Sequence, residues 1–168
     1  DSQERIWVGL LGGGLNLIAE ENGEVVFKHK YNGLKQYPPY GLYMEVRTMT
    51  EDEDGRIWVG TMDGLMSFDG HFATPEQIQF ETYRQVSERS NVADNDIYVL
   101  YKDSESQIWV SVFGGGLNKL VRYDKEKHEP IFKSYGIREG MNNDVVKSIV
   151  EDKNGNLWFT TEIGLSCF

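Results

Sequence analysis

The chain has 168 residues, 39% of them hydrophobic and 12% aromatic, and a formal net charge of −10 at pH 7. That length supports one ordinary domain with a real core, and the composition is globular rather than disordered. The negative balance opposes a phosphate-binding surface, which argues against a nucleic-acid partner, and the single cysteine, Cys167, rules out an internal disulfide.

From the N-terminus, the first predicted strand is the phrase Arg5-Ile6-Trp7-Val8-Gly9, followed by a glycine turn at Gly12-Gly13-Gly14 and then Leu15-Asn16. An aromatic run from Phe27 to Tyr31 comes next, then the segment Tyr37-Pro38-Pro39-Tyr40-Gly41-Leu42-Tyr43. The apolar run Val46-Arg47-Thr48-Met49 leads through Asp52-Glu53-Asp54-Gly55 into Arg56-Ile57-Trp58-Val59-Gly60 and Gly64-Leu65. The order then repeats. Ile97 to Tyr101 precedes Gln107-Ile108-Trp109-Val110-Ser111 and Gly116-Leu117, and Val145 to Val150 precedes Asn156-Leu157-Trp158-Phe159-Thr160 and Gly164-Leu165. Phe80 with Tyr83, and Phe132 with Tyr135, mark the outer run of the middle copies.

Trp7, Trp58, Trp109 and Trp158 are thus spaced by 51, 51 and 49 residues, and Asp stands six positions before each (Asp1, Asp52, Asp103 and Asp152). Short β-branched and aromatic runs bounded by Asp, Asn and Gly are strand signals, and no sustained helical period occurs. Four antiparallel strands repeated at this interval predict an all-β fold of consecutive β-propeller blades. The first strand of each blade should line the central channel. The tryptophan strand should lie second, with its indole between neighbouring blades. The expected repeats are 1–36, which lacks an inner strand, 37–87, 88–138, and 139–168, which lacks an outer strand. The middle two are complete, about 14 strands in all. Such an arc exposes sheet faces, so the expectation is a segment of a longer propeller that self-associates when isolated. No stretch approaches the roughly 20 apolar residues that span a bilayer, so no direct membrane insertion is expected of this segment.

Few motifs suggest chemistry. The glycine turns lack a following Lys-Ser/Thr pair and open no helix, so they are hairpin turns rather than phosphate cradles. Asp52-Glu53-Asp54-Gly55 resembles half a calcium loop, but the tryptophan strand follows where the remaining ligands should stand, so a capped turn is the better account. His29, His71 and His128 fall in different registers with no metal-ligand spacing. Lys125, Lys127 and His128 suit a solvated turn, and Cys167 a small packed hydrophobe. Neither a metal nor another cofactor is implied. Glu45, Asp96 and Asp144 each stand at the start of an inner strand, and around an axis they would form an acidic ring at one channel mouth. Loops on a rigid scaffold host binding. The tyrosine-rich segment therefore offers Tyr37, Tyr40 and Tyr43 as sugar-stacking candidates. Arg84, Arg89, Asn91 and Asn95 hold the next equivalent connection.

The stretch Ile149-Val150-Glu151-Asp152, continued by Gly155-Asn156-Leu157-Trp158-Phe159-Thr160-Thr161-Glu162 and Gly164-Leu165, resembles the two-component regulator propeller repeat. So does Met49 to Leu65, with Glu51-Asp52, Asp54-Gly55-Arg56-Ile57-Trp58-Val59-Gly60-Thr61 and Asp63-Gly64-Leu65. The Gly-Gly-Gly-Leu-Asn forms at 12–16 and 114–118 look like its glycine-extended variant, and Asp94-Asn95-Asp96-Ile97 and Asn142-Asn143-Asp144-Val145 like its inner-strand approach. The departures are Ser106 and Ser111 for glycine, expected to weaken single turns, and Met44-Glu45 where an asparagine-containing approach is expected. The resemblance implies a seven-bladed parent in the periplasmic sensor region of a Bacteroides-type hybrid two-component system, anchored in the inner membrane. It implies a non-catalytic role in signal transduction, with oligosaccharides as ligands. Gly155 to Thr160 is also similar to the blade phrase of virginiamycin B lyase, which makes a propeller lyase the alternative. A generic protein-interaction scaffold is the other.

Overall fold

A computed structural model describes residues 1–39, 41, 43–84 and 95–168. In each copy an aspartate carboxylate joins the tryptophan strand to the turn before it. The Asp Oδ2 accepts the indole N–H of Trp7, Trp58, Trp109 and Trp158 at 2.7, 2.8, 2.7 and 3.0 Å, from Asp1, Asp52, Asp103 and Asp152 respectively. The Oδ1 of the same group accepts two backbone N–H groups of the turn, for example those of Glu105 and Gln107 at 3.1 and 2.7 Å. The turn also needs one left-handed residue. Gly55 and Gly155 supply it at φ 77° and 83°, while Glu4 and Ser106 adopt it at 60° and 62° against the usual steric preference.

Fourteen strands are present among the described residues. β1 (Ile6–Leu10), β2 (Gly14–Glu21) and β3 (Glu24–Lys28) make a three-stranded antiparallel sheet. β4 (Val46–Glu51), β5 (Arg56–Thr61), β6 (Gly64–Asp69) and β7 (Glu81–Tyr83) make the first complete blade. β8 (Ile97–Lys102), β9 (Ile108–Val112), β10 (Gly116–Asp124) and β11 (Glu129–Tyr135) make the second. β12 (Val146–Glu151), β13 (Leu157–Thr161) and β14 (Gly164–Cys167) close the chain. Among the described residues, helix is confined to two short 3-10 turns, Pro75–Gln77 and Ile137–Glu139. The inner strands β4, β8 and β12 pack side by side in succession, so the sheets fan out from a shared inner edge. This is the blade arrangement of an all-β propeller.

Alternation along the tryptophan strands explains their continuous apolar sequence. In β5, Ile57 and Val59 face the preceding sheet and Trp58 the following one. In β9, Ile108 and Val110 face back and Trp109 forward. Both sheet faces are covered, so the strands read as unbroken hydrophobic runs, although antiparallel sheets commonly alternate. Trp58 and Trp109 are 0% and 2% exposed. Each such indole contributes about 5 kcal/mol of transfer free energy, counted against an extended chain. Trp7 packs on Phe68, 5.0 Å between ring centroids. Trp158 is 36% exposed, since none of the described sheets packs on its face.

Hydrophilic clasps accompany this packing. The Ser2 N–H and hydroxyl donate to Glu51 of the next sheet at 2.6 and 2.5 Å. The Ser104 N–H donates to Glu151 at 2.7 Å, and its hydroxyl donates to the same carboxylate. Close approach is visible at Gly60, where an added Cβ would lie 2.6 Å from both Ile97 and Thr48 side-chain carbons. Ser111 occupies the corresponding position in β9, inside a strand rather than a turn. Its hydroxyl donates to the Val146 carbonyl at 2.5 Å, so this departure from glycine makes an inter-sheet bond instead of weakening a turn. Cys167, expected to pack as a small hydrophobe, is exposed on β14 of the last described sheet.

Replacing Asp103 by alanine strips three donors of their acceptor, including the buried Trp109 indole N–H. The expected loss is about 2–4 kcal/mol of unfolding free energy, measured by urea denaturation. The isosteric Asp103→Asn should recover part of it.

Candidate ligand-binding face

The strand directions place the Asp turns at one end of the blades, and the glycine turns with the inner-strand approaches at the other. At this second end each inner strand carries the same irregularity. The pairing register shifts between Val46 and Thr48, Ile97 and Val99, and Val146 and Ser148. One extra residue sits in each bulge: Arg47, Tyr98 and Lys147. A bulge bends its strand and re-aims a side chain, so three equivalent positions present two cations and a phenol near the inner edge. Arg47 pairs with Asp96 at 3.1 Å, and its guanidinium carbon lies 4.7 Å from the Tyr98 ring centroid. Tyr98 meets Phe113 edge-on at 5.7 Å. Lys147 pairs with Glu162 at 3.4 Å. The result is a mixed-charge, aromatic rim.

The three acidic positions are not equivalent: Glu45 and Asp96 directly precede β4 and β8, whereas Asp144 stands two residues before β12 and makes the backbone bond that Met44 makes with Gly14. The Glu45 and Asp96 carbonyls accept from Met62 and Phe113 N–H in the glycine turns of their own sheets, at 3.2 and 2.9 Å, and the Asp144 carbonyl accepts from Gly116 of the preceding sheet at 2.9 Å. Their side chains diverge. Asp96 is committed to Arg47, and Asp144 Oδ1 accepts the Ile137 N–H at 2.8 Å. Among the described residues, no group of three His, Cys, Asp or Glu is placed to hold a metal ion.

The tyrosine segment behaves differently from expectation. Tyr37 and Tyr43 are 7% and 4% exposed and belong to the core between the first two sheets. The Tyr37 hydroxyl donates to the Tyr43 carbonyl at 2.6 Å, and its ring meets Phe80 at 5.1 Å. Burial pushes its hydroxyl well above the ordinary phenol range. Neither ring is presented to a ligand. The adjacent prolines carry the chain across the gap between sheets, where the rings gain more by burial than by exposure. Tyr40, Arg89 and Asn91 lie outside the described residues. Arg84 is on the surface, paired with Asp63 at 2.6 Å, and Asn95 is half-buried beside the acidic approach of β8.

A second constellation escapes sequence reading because its parts are far apart in the chain. Glu81 on β7 accepts from Arg56, Tyr83 and Tyr123 at 2.6, 2.9 and 2.5 Å through Oε2, and its Oε1 lies 2.6 Å from His128 Nδ1. Tyr123 and His128 belong to the next sheet, so the carboxylate ties two blades at their outer edge. Arg56 lies 3.9 Å over the Tyr123 ring. The turn holding His128, expected to be merely solvated, docks its histidine on this network. An adjoining cleft of about 380 Å³ is lined by Asp69, His71, Gln77, Gln79 and the Glu81–His128 pair. Burial pushes the Glu81 carboxyl up, but hydrogen bonds from Tyr123, His128 and Tyr83 outweigh it and hold the group below the ordinary 4.5. Burial and Glu81 together push the Tyr123 hydroxyl up to about 12.

The sign of the pH effect follows. A carboxylate held below its unfolded value contributes stability in full above that value, and the contribution is lost as pH falls through the folded-state value. Unfolding midpoints measured from pH 7 to 2 should therefore stay level down to about 4.5 and then fall. Glu81→Gln should be less stable at pH 7 and flatter in the acid range.

The two component regulator propeller model matches residues 41–63 and 140–162, which span the glycine-end approach, the inner strand, the Asp turn and the tryptophan strand of two sheets. No curated protein sequence matches the chain. Among solved structures, the chain is similar to an extracellular domain of a hybrid two component system from B. thetaiotaomicron, with 22% identity and a TM-score of 0.72 over 100% of this chain and 22% of that one. It is also similar to PorZ, a surface component of the type-IX secretion system of Porphyromonas gingivalis, with 16% identity and a TM-score of 0.65 over 96% of this chain and 23% of that one. Virginiamycin B lyase from Staphylococcus aureus aligns over 100% of this chain and 53% of its own, with 14% identity and a TM-score of 0.60. The chain therefore spans under a quarter of the first two proteins, and at these identities the likeness is one of fold. The blades and the indole clamps make this chain a β-propeller segment, and its residues 41–63 and 140–162 match the two component regulator propeller repeat.

Proposed function

We propose that the chain is a non-catalytic, ligand-sensing propeller segment of a hybrid two-component signalling protein. In this reading it lies in the periplasm, within a parent anchored in the inner membrane. Its ligand class is oligosaccharide. The observation that carries the proposal is the regulator propeller repeat at 41–63 and 140–162, set on a rigid arc whose glycine end offers a rim of paired charges and aromatic rings. Such a rim suits neutral, hydroxyl-rich ligands, which exchange water for planar polar partners and ring faces. Signalling then requires that the ligand bind two blade or domain arrangements with different affinities.

The proposed partners of the arc are further blades of the same parent. Ile6, Leu11, Val25 and Phe27 on the first sheet are 60%, 73%, 68% and 51% exposed, and Val150, Ile163 and Leu165 on the last are 57%, 68% and 58% exposed. Apolar faces of this kind are covered in stable proteins. In isolation the 168-residue chain should self-associate, and light scattering over a dilution series should register oligomers. A stable dilute monomer would count against the covered-face reading.

Calorimetric titration of the chain and of its parent ectodomain with a panel of defined oligosaccharides should yield saturable binding by at least one member. Silence across the panel from both proteins would remove the saccharide reading, and a covalently altered product would replace it with the lyase alternative.

A further inference from the structure

The Gly-Gly-Gly-Leu-Asn motif occurs twice, and its two asparagines have different surroundings. Asn118 is satisfied within its own blade. Its Oδ1 accepts the Ser134 hydroxyl from β11 at 2.6 Å, and its Nδ2 faces the Val110, Gly115 and Gly116 carbonyls at 3.3, 3.3 and 3.4 Å. Asn16 is 6% exposed, and its Nδ2 meets no acceptor among the described residues. Leaving a buried amide donor unmet costs about 1–3 kcal/mol, so the exception calls for an explanation. The outer strand beside the two asparagines differs as well. β3 stops at Lys28, and the chain turns away through His29 to Asn32, held by the Asn32 side chain on the His29 N–H at 2.8 Å and the Phe27 carbonyl at 2.9 Å. Among the described residues, no counterpart of Ser134 reaches Asn16.

What lies there instead is a pocket of about 170 Å³, bounded by Asn16, the glycine turn, His29, Lys30, Tyr31 and Met44. Tyr31 is 77% exposed, an unusual position for a large ring. The His29 ring meets it edge-on at 5.7 Å, and the Lys30 ammonium sits 4.8 Å from its centroid. The Tyr31 N–H donates to His29 Nδ1 at 3.2 Å. The site thus combines an exposed aromatic ring, an imidazole, an ammonium and an unmet amide donor. It lies on the glycine end of the blades, with the rim described above.

We infer that this pocket is a subsite for one polyhydroxylated six-membered ring, a single sugar residue of a longer chain. The volume is below the roughly 300 Å³ at which pockets take drug-sized ligands, which limits the occupant to one ring. An aromatic ring with hydroxyl-binding neighbours suits the apolar face and polar edge of a pyranose. A sugar oxygen supplies to the Asn16 Nδ2 the acceptor that the Val110, Gly115 and Gly116 carbonyls provide to Asn118 in the equivalent blade. The inference rests on the oligosaccharide reading and deepens it by naming the residues.

The test uses the oligosaccharide that gives the strongest heat in the titration above, against Tyr31→Ala and Asn16→Leu. Tyr31 is a surface residue, so its variant should keep the parent unfolding midpoint. Asn16→Leu removes an unmet donor and should melt no lower than the parent. Each variant should weaken binding by about fivefold or more. Unchanged affinity in both variants, with binding intact in the parent, would overturn the subsite alone and leave the sensor reading standing. Failure of every saccharide to bind the parent would overturn both.

Discussion

The carboxylate that joins each indole to its turn is the constraint from which the rest follows. An indole carries a large apolar body and one obligatory donor. Burying it between sheets is favourable only if that donor finds an acceptor. Asp1, Asp52, Asp103 and Asp152 supply one, and with the other oxygen they close the turn that sets the hairpin register. One side chain therefore fixes the turn, the strand pairing and the orientation of the ring that fills the next gap. Asn156 and Trp158, with the turn N–H groups, hold the Asp152 carboxyl well below the usual range. A substitution at this position would disturb two sheets at once.

Much of this was legible in the chain because it is local and repeated. The spacing of tryptophan and aspartate, the β-branched runs and the glycine turns are all sequence-near features, and each corresponds to a strand or a turn in the fold. The fit of Ser111 was less legible. A serine in place of glycine reads as a defect until Val146, from another sheet, offers its carbonyl. The bulges at Arg47, Tyr98 and Lys147 were hidden for a related reason. Strand reading assumes alternation, and an inserted residue breaks that rule without leaving a mark in composition.

The candidate residues show the same division. Register brings Glu45 and Asp96 to one backbone task, while Asp144 falls one position earlier and bonds the preceding sheet. Their side chains are set by non-local partners that register cannot supply. Tyr37 and Tyr43 were chosen for their chemistry, but chemistry does not say whether an aromatic loop faces solvent or core. Met44, Val46 and Phe68 decided that, by forming an apolar gap beside it. The Glu81 network joins residues 25 to 47 positions apart, and its basis lies in the packing of one blade on the next.

Because each tryptophan strand buries one face on the sheet before it and the other on the sheet after it, stability is shared pairwise between neighbours. Such an array behaves as a one-dimensional lattice of coupled units. An interior unit is held on two sides and a terminal unit on one, so opening proceeds inward from the extremities. Amide protons of the two central sheets would then exchange last, and fraying of the outer ones would precede cooperative collapse. Closing the lattice into a ring would remove its extremities and turn that graded loss into a single transition.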